Sequence, residues 1–220
     1  VRSRRQRQMC IETVEEHCKR VLSYKYYYKA WEPAQNDSQL SAKINSPEAE
    51  ALINDLAAAS ITVLENRDNL LPLDIAPGQR VSVVNIGEKA DNDFISACRH
   101  YAMTEAHYTM GETFGAQSLA KICDADVVVA AVYTDTPQAR QAFAQIAAKA
   151  GKCVGVFFVN PYKMKKFAAS LGSLDGLVLA YDNIPAMQTN AASALFGGIA
   201  TRGKLPVALR GVAPLGKGIQ

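Results

Sequence analysis

Ala125-Asp-Val-Val-Val-Ala-Ala-Val-Tyr-Thr-Asp-Thr-Pro137 contains a seven-residue run, Val127–Tyr133, with no polar interruption. A strand with one face in water alternates apolar and polar residues, whereas a strand covered on both faces does not. The run therefore reads as an interior strand of a helix-covered parallel sheet. Thr136-Pro137 then opens a helix, since proline suits the first helical position, and Gly151 closes it. The same grammar recurs at Cys153–Val159 and Leu177–Tyr181, each followed by a proline-started segment at Pro161 and Pro185.

Two further strands are expected at Val81–Ile86 and His107–Met110, and further helices at Asp91–His100 and Gly115–Ile122. The segments Pro137–Ala150, Pro161–Ser170 and Pro185–Phe196 complete the helical set. Strand–helix alternation of this kind predicts an α/β, three-layer sandwich with a mostly parallel, helix-covered sheet.

Upstream, Ser46-Pro47-Glu48 announces a helix in which Leu52, Ile53, Leu56, Ser60, Ile61 and Leu64 share one face. Such a helix must pack on something to be stable. Gly197-Gly198 and Thr201–Pro206 are expected to end the last helix and turn into an edge segment at Val207–Leu209. The chain opens with an N-terminal helix, on which Met9, Cys10, Val14, Cys18, Val21 and Leu22 recur at helical spacing. The polar stretch 31–47 follows as a linker. The division expected is 1–45 for helix and linker and 46–220 for the sandwich, with Val1 falling inside a longer protein.

Composition excludes several classes. The longest apolar runs are far short of the roughly 18 residues that a membrane span needs. The first thirty residues carry a net charge of +5 and the remainder −2, so the body lacks the broad basic face of a nucleic-acid binder. Five cysteines (Cys10, Cys18, Cys98, Cys123, Cys153) and three histidines (His17, His100, His107) contain no CxxC and fit no zinc spacing. Cys123 and Cys153 adjoin apolar runs and read as core thiols. The sequence lacks GxGxxG, GxxxxGK[ST] and GxSxG, which removes dinucleotide, P-loop and nucleophile-elbow chemistry. No metal and no cofactor are expected.

A ligand site in a parallel sheet lies past the carboxyl ends of its strands. The residues placed there, and so expected to line any cleft, are Glu88, Tyr133, Asp135, Asn160, Tyr181 and Asp182. Sugar hydrolysis needs two carboxyl groups, one as nucleophile or base and one as acid. Glu105 and Glu112 join Glu88, Asp135 and Asp182 as the acids nearest these ends, but single acids in loops are more often solvated or capping, and Asp182 reads as the cap of the helix at Pro185. His100 and His107 are read as surface or core imidazoles, and Lys163, Lys165 and Lys166 as a solvated face. No catalytic residue is assigned.

Three stretches together resemble the C-terminal α/β sandwich domain of glycoside hydrolase family 3. Ala58–Asn66 followed by Asn69-Leu-Leu-Pro-Leu73 looks like the family's entry helix and its LLPL turn. Ala194-Leu-Phe-Gly-Gly-Ile-Ala200 with Gly203-Lys-Leu-Pro-Val207 looks like its closing ALFG…GKLPV segment. Phe158-Val-Asn-Pro-Tyr162, with Leu179-Ala-Tyr181 and Gln188, is similar to members related to β-N-acetylglucosaminidases. The first helix, ending Val21-Leu-Ser-Tyr-Lys25, resembles the helix that leaves the family's barrel.

The resemblance implies a partner domain, a (β/α)8 barrel in the same protein that carries the nucleophilic aspartate, with carbohydrate bound at the domain interface. It implies an exo-acting β-glycosidase, β-N-acetylhexosaminidase-like, of which this chain is the non-catalytic sandwich. A periplasmic or secreted location follows only from the family. Two alternatives stay open: a sandwich that supplies the acid/base glutamate of a β-glucosidase (Glu88, Glu105 or Glu112), and a stand-alone flavodoxin-like module binding a small ligand at the Gly87, Tyr133, Asn160 and Tyr181 loops.

Overall fold

The computed structural model describes residues 4–32 and 39–219. It falls into two units, Val1–Ser46 and Pro47–Gln220. The first contains α1 (Arg4–Tyr27) and a short α2 (Leu40–Ile44). Among its described side chains, Ile11, Val14, Val21 and Leu22 are each more than half exposed. The helix α2 lies within the stretch expected to be linker, whose residues 33–38 fall outside the described part, as do the side chains of Met9 and Cys10.

In the second unit, α3 (Pro47–Ser60) precedes β1 (Thr62–Asn66). Ile61 and Leu64 were expected on the helix and instead lie at or in the strand, both buried. The β-branched run Ile61-Thr62-Val63 disfavours further helix and suits an extended chain. Leu52, Ile53 and Leu56 remain at least half exposed, although the helix packs on α9 through its other face.

The strands β2 (Val81–Ile86), β3 (Thr104–Thr109), β4 (Val127–Val132), β5 (Cys153–Phe157) and β6 (Gly176–Leu179) alternate with α4 (Asp93–Tyr101), α5 (Ala116–Cys123), α6 (Pro137–Lys149), α7 (Pro161–Met164), α8 (Ala168–Leu171) and α9 (Pro185–Leu195). The sheet order is β1-β6-β5-β4-β2-β3, with β1 antiparallel to β6 and every other pair parallel. The α/β sandwich read from the apolar runs is the observed fold.

All residues of β2, β4 and β5 are buried, as two-sided covering requires. Two cores result. On one face Val84, Ile86, Val128, Ala130 and Phe157 meet Phe143 and Ile146 of α6 and Phe167. On the other Val83, Val129, Val156 and Val178 meet Phe94 of α4 and Leu195 of α9. Phe143, Phe157 and Phe167 pack mutually in tilted and edge-to-face pairs, with ring centres 5.2–5.4 Å apart.

Several local expectations change. Strand β3 starts at Thr104, before the expected His107. The helix expected over Pro161–Ser170 is broken by a tighter 3₁₀ turn at Lys165–Phe167. Val207–Leu209 forms no regular strand, only a bridge from Leu209 to Ala213. The outer edge of β1 is taken instead by backbone from two turns, with Gly203 N–H donating to Ile61 O (3.2 Å) and Ile219 N–H to Val63 O (2.9 Å). No helix among the described residues is long and apolar enough to cross a membrane.

Candidate functional site

The chain passes from β2 outward to β3, then crosses back to β4 on the other side of β2. The strand order therefore reverses between β2 and β4, and the carboxyl ends of those two strands flank the natural crevice of a doubly wound sheet. Gly87 follows β2 with φ +105°, and a side chain there would meet Thr134 Cγ2 at 2.8 Å. Thr134 thus closes the crevice against bare backbone. The open cleft lies one strand over, past β2 and β3, with a volume of about 420 Å³. Glu88, Lys89, Tyr108, Glu112, Phe114 and Ser118 are among its walls.

Around this cleft the loops are tied by side-chain amides. Asn183 Nδ2 donates to Glu88 Oε1 (2.9 Å) and Gln188 Nε2 donates to Asn183 Oδ1 (2.5 Å). Buried Gln188 also accepts from Phe94 N–H (3.1 Å), so one amide clamps the start of α4 to the start of α9. Asn92 caps α4 by accepting from Ile95 N–H and donates to the Tyr133 hydroxyl (2.8 Å). Tyr133 stacks on Phe158 at 4.8 Å, and burial pushes its phenol above the ordinary range despite the Asn92 bond. Asp91 is bonded by Arg99 and by the Tyr108 hydroxyl, and its carboxyl is held below the usual range chiefly by Arg99.

The other residues expected at the strand ends separate. Asp135 pairs with Lys166 Nζ at 2.5 Å, which lowers its carboxyl, so Lys166 is not simply a solvated cation. Asn160 caps α7 by accepting from Lys163 N–H (3.0 Å). Tyr181 adopts a left-handed φ of +62° and turns to Thr62 of β1, with the two hydroxyl oxygens 2.8 Å apart. There it lines a separate hollow with Met187, Lys204 and Pro206. Asp182 does not cap α9: its carboxylate accepts from Asn183 N–H and Ile184 holds the cap position. Of the six, Glu88 and Tyr133 belong to one bonded neighbourhood, with Asp182 beside it.

Glu105 pairs with Lys121 on α5, which lowers its carboxyl, and it stands 4.0 Å from His107 Nε2. Burial lowers the His107 imidazole, whose Nε2 has no hydrogen-bond partner. Cys153 is buried and its thiol pushed up to about 12, while Cys123 is half-buried. Among the described residues no three His, Cys, Asp or Glu side chains gather as a metal ion needs. A groove of about 480 Å³ beside β1, lined by Val63, Leu71, Pro72, Ile199 and Ile219, lies away from the carboxyl ends of the parallel strands. Sequence reasoning placed Thr134 at a strand end and Asn183 before the helix at Pro185 but gave neither a role, and it passed over Asn92, whose signal is that of a capping residue before Asp93-Phe94.

The class defined by this topology is the doubly wound α/β domain with an antiparallel edge strand. More narrowly, the fold is one found within enzymes of glycoside hydrolase family 3. A β-N-acetylglucosaminidase of that family from Paenibacillus sp. str. FPU-7 superposes with a TM-score of 0.68 at 17% identity, over 94% of this chain and 40% of that one. A β-glucoside phosphorylase gives 0.68 at 18% identity, over 91% and 39%. A fungal multi-domain β-N-acetylglucosaminidase of the same family gives 0.65 at 22% identity, over 82% and 21%. The chain thus spans two-fifths or less of the length of each. No protein-family profile and no curated protein sequence matches it.

Proposed function

We propose that this chain is the non-catalytic, C-terminal sandwich of an exo-acting β-glycosidase, β-N-acetylhexosaminidase-like, whose nucleophile sits on a preceding barrel. The observation carrying the reading is the near-complete coverage of this chain by a fold that makes up only 39–40% of two of its neighbours. The carboxylates support it. Hydrolysis through two carboxyl groups needs both free to face one sugar, whereas here Asp135 and Glu105 are ion-paired and Glu88 holds Asn183. The domain's work is then to buttress the barrel and to offer strand-end loops to the substrate cleft.

The test is turnover of 4-nitrophenyl N-acetyl-β-glucosaminide and β-glucoside. The 220-residue chain should release no nitrophenol, and a protein that includes the residues encoded upstream of Val1 should release it. Hydrolysis by the chain alone would overturn the reading. One observation favours a second reading, in which the sandwich lends an acid/base glutamate: Glu88 and Glu112 line the same cleft. In the longer protein, loss of rate on Glu88→Gln or Glu112→Gln, rescued by azide, would select it.

A further inference from the structure

The two edges of the sheet are treated differently. At β1 the outward backbone is occupied by Gly203 and Ile219. At β3 no described segment pairs with the outer side. An open strand edge is a template for another chain, and proteins ordinarily blunt it with charged side chains, proline or a bulge. Thr104-Glu-Ala-His-Tyr-Thr109 contains no lysine, proline or bulge, its one carboxylate, Glu105, is paired with Lys121 of α5, and Met103 and Met110 stand exposed at its two ends (74% and 51%).

The hydrogen-bond phase of the edge is fixed. Met103 O and Thr109 O accept from Val81 and Gly87 of the neighbouring strand and turn. Odd-numbered residues of β3 therefore bond inward, and Thr104, Ala106 and Tyr108 present their N–H and C=O outward. A second β3 can add antiparallel only by matching outward residues with outward residues. Centring the two-fold axis midway between residues 104 and 106 sets Glu105 against Glu105, and midway between 106 and 108 sets His107 against His107. Centring it on Ala106 sets Glu105 against His107 of the other copy, in the close non-hydrogen-bonded position, and Thr104 against Tyr108. That register pairs unlike groups on both faces, leaves the smallest side chain on the axis, and overlaps the whole strand.

We propose that the chain self-associates through β3, as an antiparallel two-fold pair centred on Ala106 that joins two six-stranded sheets into one. The partner is a second copy of this chain, and the contact is isologous. The inference is independent of any glycosidase reading. Strand pairing of this length sits at the small end of specific interfaces, so the dimer is expected to dissociate on dilution.

Sedimentation equilibrium and multi-angle light scattering of the 220-residue chain test it. Expected are a dimer mass at about 100 µM and a shift to monomer on dilution. Thr104→Pro removes an outward N–H at the first strand position, where proline is tolerated, and Met103→Lys adds charge at a bare site. Both should keep the far-UV spectrum and weaken dimerisation about ten-fold or more. For register, Glu105→Cys/His107→Cys should form a disulfide-linked dimer, identified as the cross-linked 105–107 peptide, since close-pair Cα atoms lie about 4.5 Å apart. A monomer at about 100 µM would overturn the proposal. So would a dimer indifferent to both edge variants, or one in which Glu105→Cys alone cross-links to itself.

Discussion

Replacing Gly203 by alanine tests whether the turn that covers β1 is as tight as it looks. Gly203 is buried, and a Cβ there would lie 2.3 Å from Ser60 O, 2.4 Å from Thr62 Oγ1 and 2.5 Å from Ile61 O. Optimal separations are nearer ~3.5 Å, so something must move by about 1 Å. Two of the three obstacles are backbone carbonyls at the junction of α3 and β1, and the third holds Tyr181. The turn cannot retreat freely, because Gly218 is packed behind it, its own Cβ position 2.2 Å from Gly203 O. Forcing a methyl group into such a site costs about 1–3 kcal/mol. Losing the Gly203–Ile61 hydrogen bond adds about 1 kcal/mol. The sum, ~2–4 kcal/mol, should lower Tm by roughly 5–15 °C in a domain of this size. Gly151→Ala, where a Cβ meets nothing within 4 Å, should change stability by no more than about 0.5 kcal/mol. Thermal unfolding followed by circular dichroism measures both. A Gly203→Ala protein melting within about 2 °C of the parent would refute the steric argument.

Gln188→Leu keeps the volume but orphans Phe94 N–H and frees Asn183, so a loss of about 1–3 kcal/mol is expected in urea unfolding, with faster amide exchange at Phe94 than in the parent. The Asp135 carboxyl is lowered by Lys166, so its contribution is complete above the ordinary aspartate range and is lost as pH falls through the lowered value. Because Lys166 is half exposed (54%), that contribution should stay below about 1 kcal/mol and shrink with salt; Asp135→Asn should flatten this part of the acid limb of the stability–pH curve, and an unchanged limb would count against the pair. Cys18 is exposed whereas Cys98 and Cys153 are buried with thiols pushed up to about 12. Peptide mapping after brief iodoacetamide treatment at pH 8 should find Cys18 modified and Cys98 and Cys153 unmodified until denaturant is added.

Interior strands were the most legible elements. Burial on both faces writes itself as an uninterrupted apolar run at Val127–Tyr133, which was placed to within one residue, and Val81–Ile86 was placed to the residue although Ser82 and Asn85 interrupt its apolar pattern. Strand β3 was expected three residues too late because an edge strand keeps Thr104, Glu105 and Ala106 partly in water. Strand β1 was missed for a different reason. Leu56, Ser60, Ile61 and Leu64 satisfy helical spacing, and neither glycine nor proline marks the break after Ser60, so only the β-branched run distinguished the two states. The Asn66–Leu71 turn shows the opposite case. Asn66 donates to Leu71 O and accepts from Leu71 N–H, both at 2.8 Å, so a pair of residues quoted for their pattern is joined by local physics. At the strand ends the placement was legible and the bonding was not. Glu88 of the loop after β2 meets Asn183 of the loop before α9, and Gln188 of α9 holds Asn183 in turn; side-chain amides joining distant segments leave no periodic trace.

The carboxyl groups whose acidities are displaced are not displaced in the direction that proton donation near neutral pH requires. A general acid at neutral pH needs its pKa raised toward the working range, usually by burial away from cations. Here the carboxyl groups with displaced acidities, Asp91, Glu105 and Asp135, are all displaced downward by Arg99, Lys121 and Lys166. The groups displaced upward are phenols and thiols, among them Tyr133, Tyr181, Cys98 and Cys153. Raising these already weak acids takes them further from use near pH 7. Each ion pair and each buried hydroxyl instead fastens one loop or helix to the next: Asp135 to the turn after α7, Asp91 to α4 and β3, Tyr181 to β1. Such an arrangement holds these loops and helices fixed against the sheet. Removing Lys166 should therefore soften the β4–α6 loop without creating a useful acid, because Lys163 would still act on the Asp135 carboxyl in the downward direction.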